Sequence, residues 1–259
     1  MTIQGIDVSK WNGDIDWSLV AAFGIKFAMI RIGYGAQKGG FTKDPTFEAN
    51  IISANLVGIS TGVYLYSYAR SPEAAAIEAE KMIQVLDKYR TLVTYPVVYD
   101  IEEKNQAALG KSVCTAMCNA FCDRVRAAGY KPMVYANNGW LTGYLYADQL
   151  RADVWLALWR NTDTYKGTHT MWQYSASGSV AGIAGDVDMD FSYVDYAEKP
   201  KEKEEPAEWA KEAFEWAKKN GIIFGDGEGH YGLSESCSVE RLLVFLNRLY
   251  KLMNEDDGK

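Results

Sequence analysis

Residues 95–104 read YPVVYDIEEK, an apolar run that stops at three acids, Asp100, Glu102 and Glu103. Proline opens the segment, and β-branched and aromatic residues fill it, which marks a strand bound for a core. A strand can end in acids because it surfaces there, or because it exists to hold them. Asp100 and Glu102 are two apart, so on a strand both project from one face, with α-carbons roughly 6.5–7 Å apart. Like charges confined that closely cannot both ionise freely, and one carboxyl keeps its proton near neutral pH. Glycoside hydrolysis needs that arrangement, one carboxyl protonating a leaving oxygen while others steady a cationic transition state. Glu103 points to the opposite face, toward helix or solvent, and is assigned no catalytic role.

Similar strands lie on either side: IQGIDVS, FAMIRIGYG, STGVYLYSYA, KPMVYAN, DVWLALW and HTMWQYS. Helical patterns separate the early ones, at residues 15–23, 44–57, 72–89 and 112–128. Asp44-Pro45 and Ser71-Pro72 read as N-caps followed by proline at the first helical position. Strands alternating with helices predict a parallel sheet, open or closed into a barrel. A full (β/α)8 barrel takes ~250 residues, so this unit predicts an α/β barrel lacking some late helices. Residues 198–206, EKPKEKEEP, are charged and bracketed by prolines, and read as an extended linker between units 1–197 and 207–259.

Barrel active sites gather at the C-terminal ends of the strands. The first strand ends at Asp7, the fourth at Asp100 and Glu102, and the segment GDVDMDFSY adds Asp186, Asp188 and Asp190. Three segments thus bring carboxylates to one mouth. Tyr34, Tyr64, Tyr66, Tyr68, Tyr135, Trp159, Trp172 and Tyr174 cluster at the same ends, half expected at the mouth and half in packing. The net charge of −7, with no basic stripe, argues against a nucleic-acid partner. No apolar run approaches the ~20 residues that cross a bilayer, so no membrane insertion is expected. The N-terminus lacks the basic and apolar regions of a signal peptide. Cys114, Cys118 and Cys122 recur every four residues, match no common zinc spacing, and are expected to face the core as small apolar groups. With two histidines, no serine elbow and no phosphate-binding loop, nothing supports a histidine triad or a nucleotide cofactor.

Taken in order, GIDVSKWNGDIDW, FAMIRIGYG, GVYLYSYA, YPVVYDIE, VYANNGWL, VWLALW and MWQYSASGSVAGIAGDVDMDF resemble glycoside hydrolase family 25, the Chalaropsis-type lysozymes. The likeness spans nearly all of residues 1–197. It implies a flattened β/α barrel and cleavage of the β-1,4 bond after N-acetylmuramic acid in bacterial peptidoglycan, with no cofactor and no metal. By motif position it makes Glu102 the general acid and gives Asp100 the substrate's 2-acetamido group. Asp7 completes the acidic floor, and the late V-D motif falls on Asp188. Tyr64, Tyr66, Tyr135, Trp159, Gln173 and Asp190 become expected sugar contacts. Retaining, inverting and acetamido-assisted routes all stay open. Synthesis without a signal peptide, by analogy with phage endolysins, implies phage-type release to the wall.

Residues 207–259 read as two amphipathic helices around an Asn-Gly stop, the second capped by Ser238. They resemble a single S-layer-homology-type repeat, which implies a small helical unit for binding wall polysaccharide or for self-association. Two rival readings of the whole chain remain. One is a metal-dependent polysaccharide hydrolase or deacetylase using Asp7, Asp100, Glu102 and Asp188 as hard-ion ligands; the other is a non-catalytic wall-binding protein.

Overall fold

A computed structural model describes residues 2–197, 205–224, 231, 233 and 239–255. The chain divides into two compact units, 1–197 and 198–259. The first contains β1 (Ile3–Val8), β2 (Phe27–Ala36), β3 (Gly40–Lys43), β4 (Ser60–Tyr66), β5 (Val93–Asp100), β6 (Pro132–Asn137), β7 (Asp153–Ala157), β8 (Met171–Gly178) and β9 (Val187–Ser192). Its helices are α1 (Trp17–Phe23), α2 (Phe47–Leu56), α3 (Pro72–Leu86), α4 (Lys104–Ala107), α5 (Lys111–Ala127) and α6 (Asn138–Gly143).

The sheet runs β1-β9-β8-β7-β6-β5-β4-β2-β3, and a further β1–β2 pairing closes it into a barrel. β3 hangs outside as the return arm of an antiparallel hairpin on β2. Helices cover the early strands, whereas no helix separates β7 from β8 or β8 from β9. This is the α/β barrel short of late helices that the spacing predicts.

Pleating sends alternate residues inward. Phe27, Met29, Val98, Met133, Tyr135, Trp155 and Met171 form the barrel's inner core. Gly5 leaves room for this packing, since a Cβ there would lie 2.3 Å from the Phe27 ring. Outward residues such as Ile6, Ile30, Val63, Val97 and Val134 form a second core with the helices. α5 buries Cys114, Cys118 and Cys122 on its sheet-facing side, where burial raises all three thiols above their ordinary pKa. They are free thiols. Among the described residues no helix is long and apolar enough to cross a membrane.

Ser71 caps α3 as expected, accepting from the Ala74 amide at 3.2 Å. Asp44 does not cap α2. That helix starts at Phe47, with Thr46 before it. Asp44 instead accepts from the Thr46 amide and from Arg31, because a buried carboxylate gains more from a charged partner than from a helix end.

The second unit contains α7 (Lys211–Lys219) and α8 (Val239–Glu255). Phe214 on α7 is buried and meets the Tyr231 ring edge to face at 4.9 Å. Arg248 on α8 donates to the Ile222 carbonyl at 2.9 Å. Asn220 and Gly221 end α7, with Gly221 at a φ of +66° that favours glycine. Most of the linker 198–206 and the Ser238 cap lie outside the described residues.

Candidate active site

β1, β2 and β4 to β8 run parallel and open at one end, and the acids collect there. Asp7 is the next-to-last residue of β1 and Asp100 the last of β5. Asp188 reaches the same mouth by another route. β9 pairs antiparallel with both β1 and β8, so its first residues, not its last, face the opening. Asp188 lies directly opposite Asp7 in that ladder.

The strand model of the D-x-E pair needs correction. β5 ends at Asp100, and Glu102 belongs to the turn that follows, yet both line one cavity with Asp7, Asp186 and Asp188. The cavity has a volume of about 360 Å³. Glu103 caps α4 in a reciprocal box with Gln106, and it also accepts the Tyr66 hydroxyl at 2.7 Å. It is therefore tied to the mouth wall as well as to a helix.

A hydrogen-bond frame holds the acids. The Gln173 amide donates to Asp7 Oδ2 at 2.7 Å, while its carbonyl accepts from the Tyr135 hydroxyl at 2.9 Å and the Trp159 indole at 3.0 Å. Gln173 is thus committed to organising Asp7. The Trp155 indole donates to Asp190 Oδ1 at 2.8 Å. Asp190 is wholly buried, one inward position deeper than Asp188, and does not line the cavity. Its expected role as a sugar contact is withdrawn. Tyr64, Tyr66 and Tyr135 do line the cavity. Trp159 stands 63% exposed at the rim. Trp172 turns outward to bond the Leu158 carbonyl, and Tyr174 stacks on Phe191.

Burial dominates the electrostatics. It raises Asp7 well above the ordinary carboxyl range, with Asp190 and Asp188 pushing the same way. Asp100 is raised by burial and by Glu102, against an opposing pull from Arg31. Glu102 is raised by burial, then by Glu103 and Asp188, while the Tyr66 hydroxyl works against them. Burial lifts Asp188 to about 6. Carboxyls this close titrate as a set, and burial pushes every member of it upward. Among the described residues Asp100 Oδ1 has no hydrogen-bond partner, although Asp100 is buried at the cavity wall.

Sequence reasoning passed over Arg31, Trp155, Ser9, Trp11 and Asn12, all of which line the cavity. A lone arginine inside the apolar strand FAMIRIGYG was the available signal, since an inward charge on a core strand needs a partner. That partner is Asp44, 2.8 Å from Nε. Burial would raise Asp44, but bonds from the Thr46 amide, Arg31, the Thr46 hydroxyl and the Lys10 amide outweigh it and hold the carboxyl below its usual value.

Behind the mouth, Glu78 on α3 is fully buried. Its Oε1 accepts from the Ala36 amide at 3.0 Å and the Tyr68 amide at 3.3 Å, and its Oε2 lies 2.7 Å from the Ser67 hydroxyl. It joins the end of β2 to the segment after β4. Burial raises its pKa to about 7 despite these bonds. Among the described residues no three His, Cys, Asp or Glu side chains converge closely enough to hold a metal ion, so the donor geometry lends the metal reading no support.

Three comparisons place this geometry. The chain is 33% identical to lysozyme M1 of Streptomyces globisporus over 199 residues, which is 72% of this chain and 66% of that protein. The structure superposes on the modular autolysin LytC of Streptococcus pneumoniae, solved with a synthetic peptidoglycan ligand. That match has a TM-score of 0.66 and 27% identity, over 74% of this chain and 47% of LytC. A bacterial lysozyme from Streptomyces coelicolor gives a TM-score of 0.59 at 30% identity, over 73% of this chain and 90% of that one. The chain thus spans just under two thirds of the Streptomyces globisporus relative and about half of LytC. Residues 6–183 match the sequence profile of the glycosyl hydrolases family 25, and the chain belongs to that family.

Proposed function

We propose that the barrel is a peptidoglycan hydrolase, a lysozyme that cleaves the β-1,4 bond between N-acetylmuramic acid and N-acetylglucosamine. The observation that carries this is the cavity lined by Asp7, Asp100, Glu102 and Asp188, in which burial pushes each carboxyl above its ordinary pKa. Lysozyme M1 and the peptidoglycan-bound LytC, both similar to this chain, support the substrate class.

Glu102 suits the general acid. It is raised but only partly buried, so its proton can reach the glycosidic oxygen as the C–O bond breaks. Asp100 Oδ1 is a buried acceptor with no partner among the described residues, and an acetamido N–H would satisfy it. That contact would polarise the acetamido oxygen for attack on the anomeric carbon. Water then opens the ring intermediate and returns a proton to Glu102. Asp7, held by Gln173, and Asp188 set carboxyl oxygens beneath the developing cation, whose charge would favour their ionised forms. Tyr64, Tyr66, Tyr135 and Trp159 offer faces and hydroxyls to the sugars.

Turbidity clearing of purified walls, with mass spectrometry of the fragments, tests the reading. Fragments ending in reducing muramic acid are expected, and peptide or amide cleavage would overturn it. NMR of the first-formed anomer tests the acetamido route, which requires retention. For residues 207–259 the reading is wall attachment or self-association. Trp209 is 89% exposed and Phe224 67%, as an interaction surface requires. Retention of the chain on purified walls, compared with a Trp209→Ala variant, checks the first reading, and the molar mass in solution by light scattering checks the second.

A further inference from the structure

A second hollow, also of about 360 Å³, adjoins the acid cavity. Lys10, Trp11, Arg31, Tyr34, Tyr66 and Tyr68 line it, and Trp11, Arg31 and Tyr66 are shared with the first, so the two are continuous. Their chemistry is opposite. Five carboxylates line the first, whereas the second has none and contains Lys10 and Arg31.

The two cations differ in what they can offer. Arg31 is committed to Asp44, with Nε at 2.8 Å and a terminal nitrogen at 2.7 Å from one oxygen. Lys10 is exposed, and its ammonium rests 4.6 Å from the centre of the Trp11 ring. Among the described residues it forms no ion pair with a carboxylate. Its backbone is fixed, because the Lys10 amide donates to Asp44 and Ser9 and Asn12 close a capping box around the turn. The hollow's wall is also held. Tyr68 meets Tyr34 edge to face at 6.4 Å and Tyr66 at 5.1 Å, and Glu78 bonds the Tyr68 amide. A fixed aromatic wall beside an available ammonium suits a sugar with a pendant anion.

We propose that this hollow is a subsite for a carboxylate carried by the glycan next to the bond being cleaved, with Lys10 as its counter-ion. The inference rests on the peptidoglycan reading of the adjoining cavity. It adds polarity to that reading, because neutral sugar crosses the acid floor while the acidic substituent is drawn away from it. The carboxylate has two possible sources in this polymer. It is the lactyl carboxylate where the stem peptide is absent, or a carboxylate of the stem where the lactyl group is tied up as an amide.

The test compares Lys10→Met and Lys10→Glu with the unaltered chain on three glycans. One carries stems, one is stripped by an amidase to leave lactyl carboxylates, and one is stripped and then capped as the methyl amide. An exposed pair of this kind predicts a rise in KM of about two- to fivefold for Lys10→Met, and a larger one for Lys10→Glu. The rise is confined to one charged glycan and absent on the capped one. Confinement to the stemmed glycan identifies the stem, and confinement to the stripped glycan identifies the lactyl group. Equal KM values for all three proteins on every glycan, or an equal rise on all three glycans, would overturn the subsite. If the unaltered chain releases no reducing ends from any glycan, the hydrolase reading fails first and the subsite with it. Melting temperatures of both variants separate misfolding from lost recognition.

Discussion

The two ends of the barrel interior are built from the same inward-facing positions and filled in opposite ways. At the closed end, Phe27 stacks on Tyr95 at 4.6 Å and Tyr95 meets Tyr196 at 5.5 Å. At the open end the same alternation presents Asp7, Asp100 and Asp188. One end gains stability from apolar burial. The other gives it up, since each buried acid is held away from its preferred ionised state. Concentrating the unfavourable groups at one end lets the rest of the barrel hold them in place.

The sharpest way to break this contrast is Glu102→Gln. Loss of a general acid predicts a fall in kcat of about 10²–10⁴-fold, with the fold intact, read by reducing-end release alongside circular dichroism. Because Glu102 must be protonated and its pKa is raised, activity of the unaltered enzyme should decline as pH climbs through that value. Next in size, Phe27→Ala at the closed end should cost about 3–5 kcal/mol by denaturant titration, while the protein that remains folded keeps its activity.

Glu78 gives a prediction that turns on sign. Its pKa rises from 4.5 to about 7 on folding, so the folded state holds the proton more tightly. Stability from this group is complete below pH 4.5 and is lost as pH rises through 7, by on the order of 3 kcal/mol. Glu78→Gln should flatten that slope in thermal melts across the same range. The smallest effect is expected for Asp100→Asn, which should raise stability at pH 7 by about 0.5–2 kcal/mol while lowering activity. The gain should vanish in melts run below pH 3.8, where the carboxyl is protonated whether folded or not. A destabilised Asp100→Asn would mean that the mouth is not where the barrel yields stability.

Much of this was readable from residues. The strand YPVVYDIEEK, the proline-led helix α3 and the shortage of late helices follow from local pattern and spacing. Strand direction was harder, because alternation reads the same either way. The clue for β9 lay in connection length. Eight residues separate Gly178 from Val187, too few for the crossover of a dozen or more that a parallel strand requires. The outer strand β3 escaped notice because GFTK is short and only partly apolar. Asp190 was misjudged for a related reason: alternation shows which face a residue takes, but not its depth along the barrel axis. Gln173 shows the same limit, since no local signal tells that both ends of its amide are occupied.

The pairing of β1 with β9 also governs when the site comes into being. Asp7 emerges early in synthesis, but its ladder partner Asp188 follows 181 residues later (188 − 7). Contacts of such long sequence separation form slowly and close late. A growing chain can already assemble helices and parallel strands, yet its acid floor is unfinished until β9 slots between β1 and β8. A nascent or truncated product would therefore lack a completed acid floor, and the proposed activity would arise only in a finished barrel.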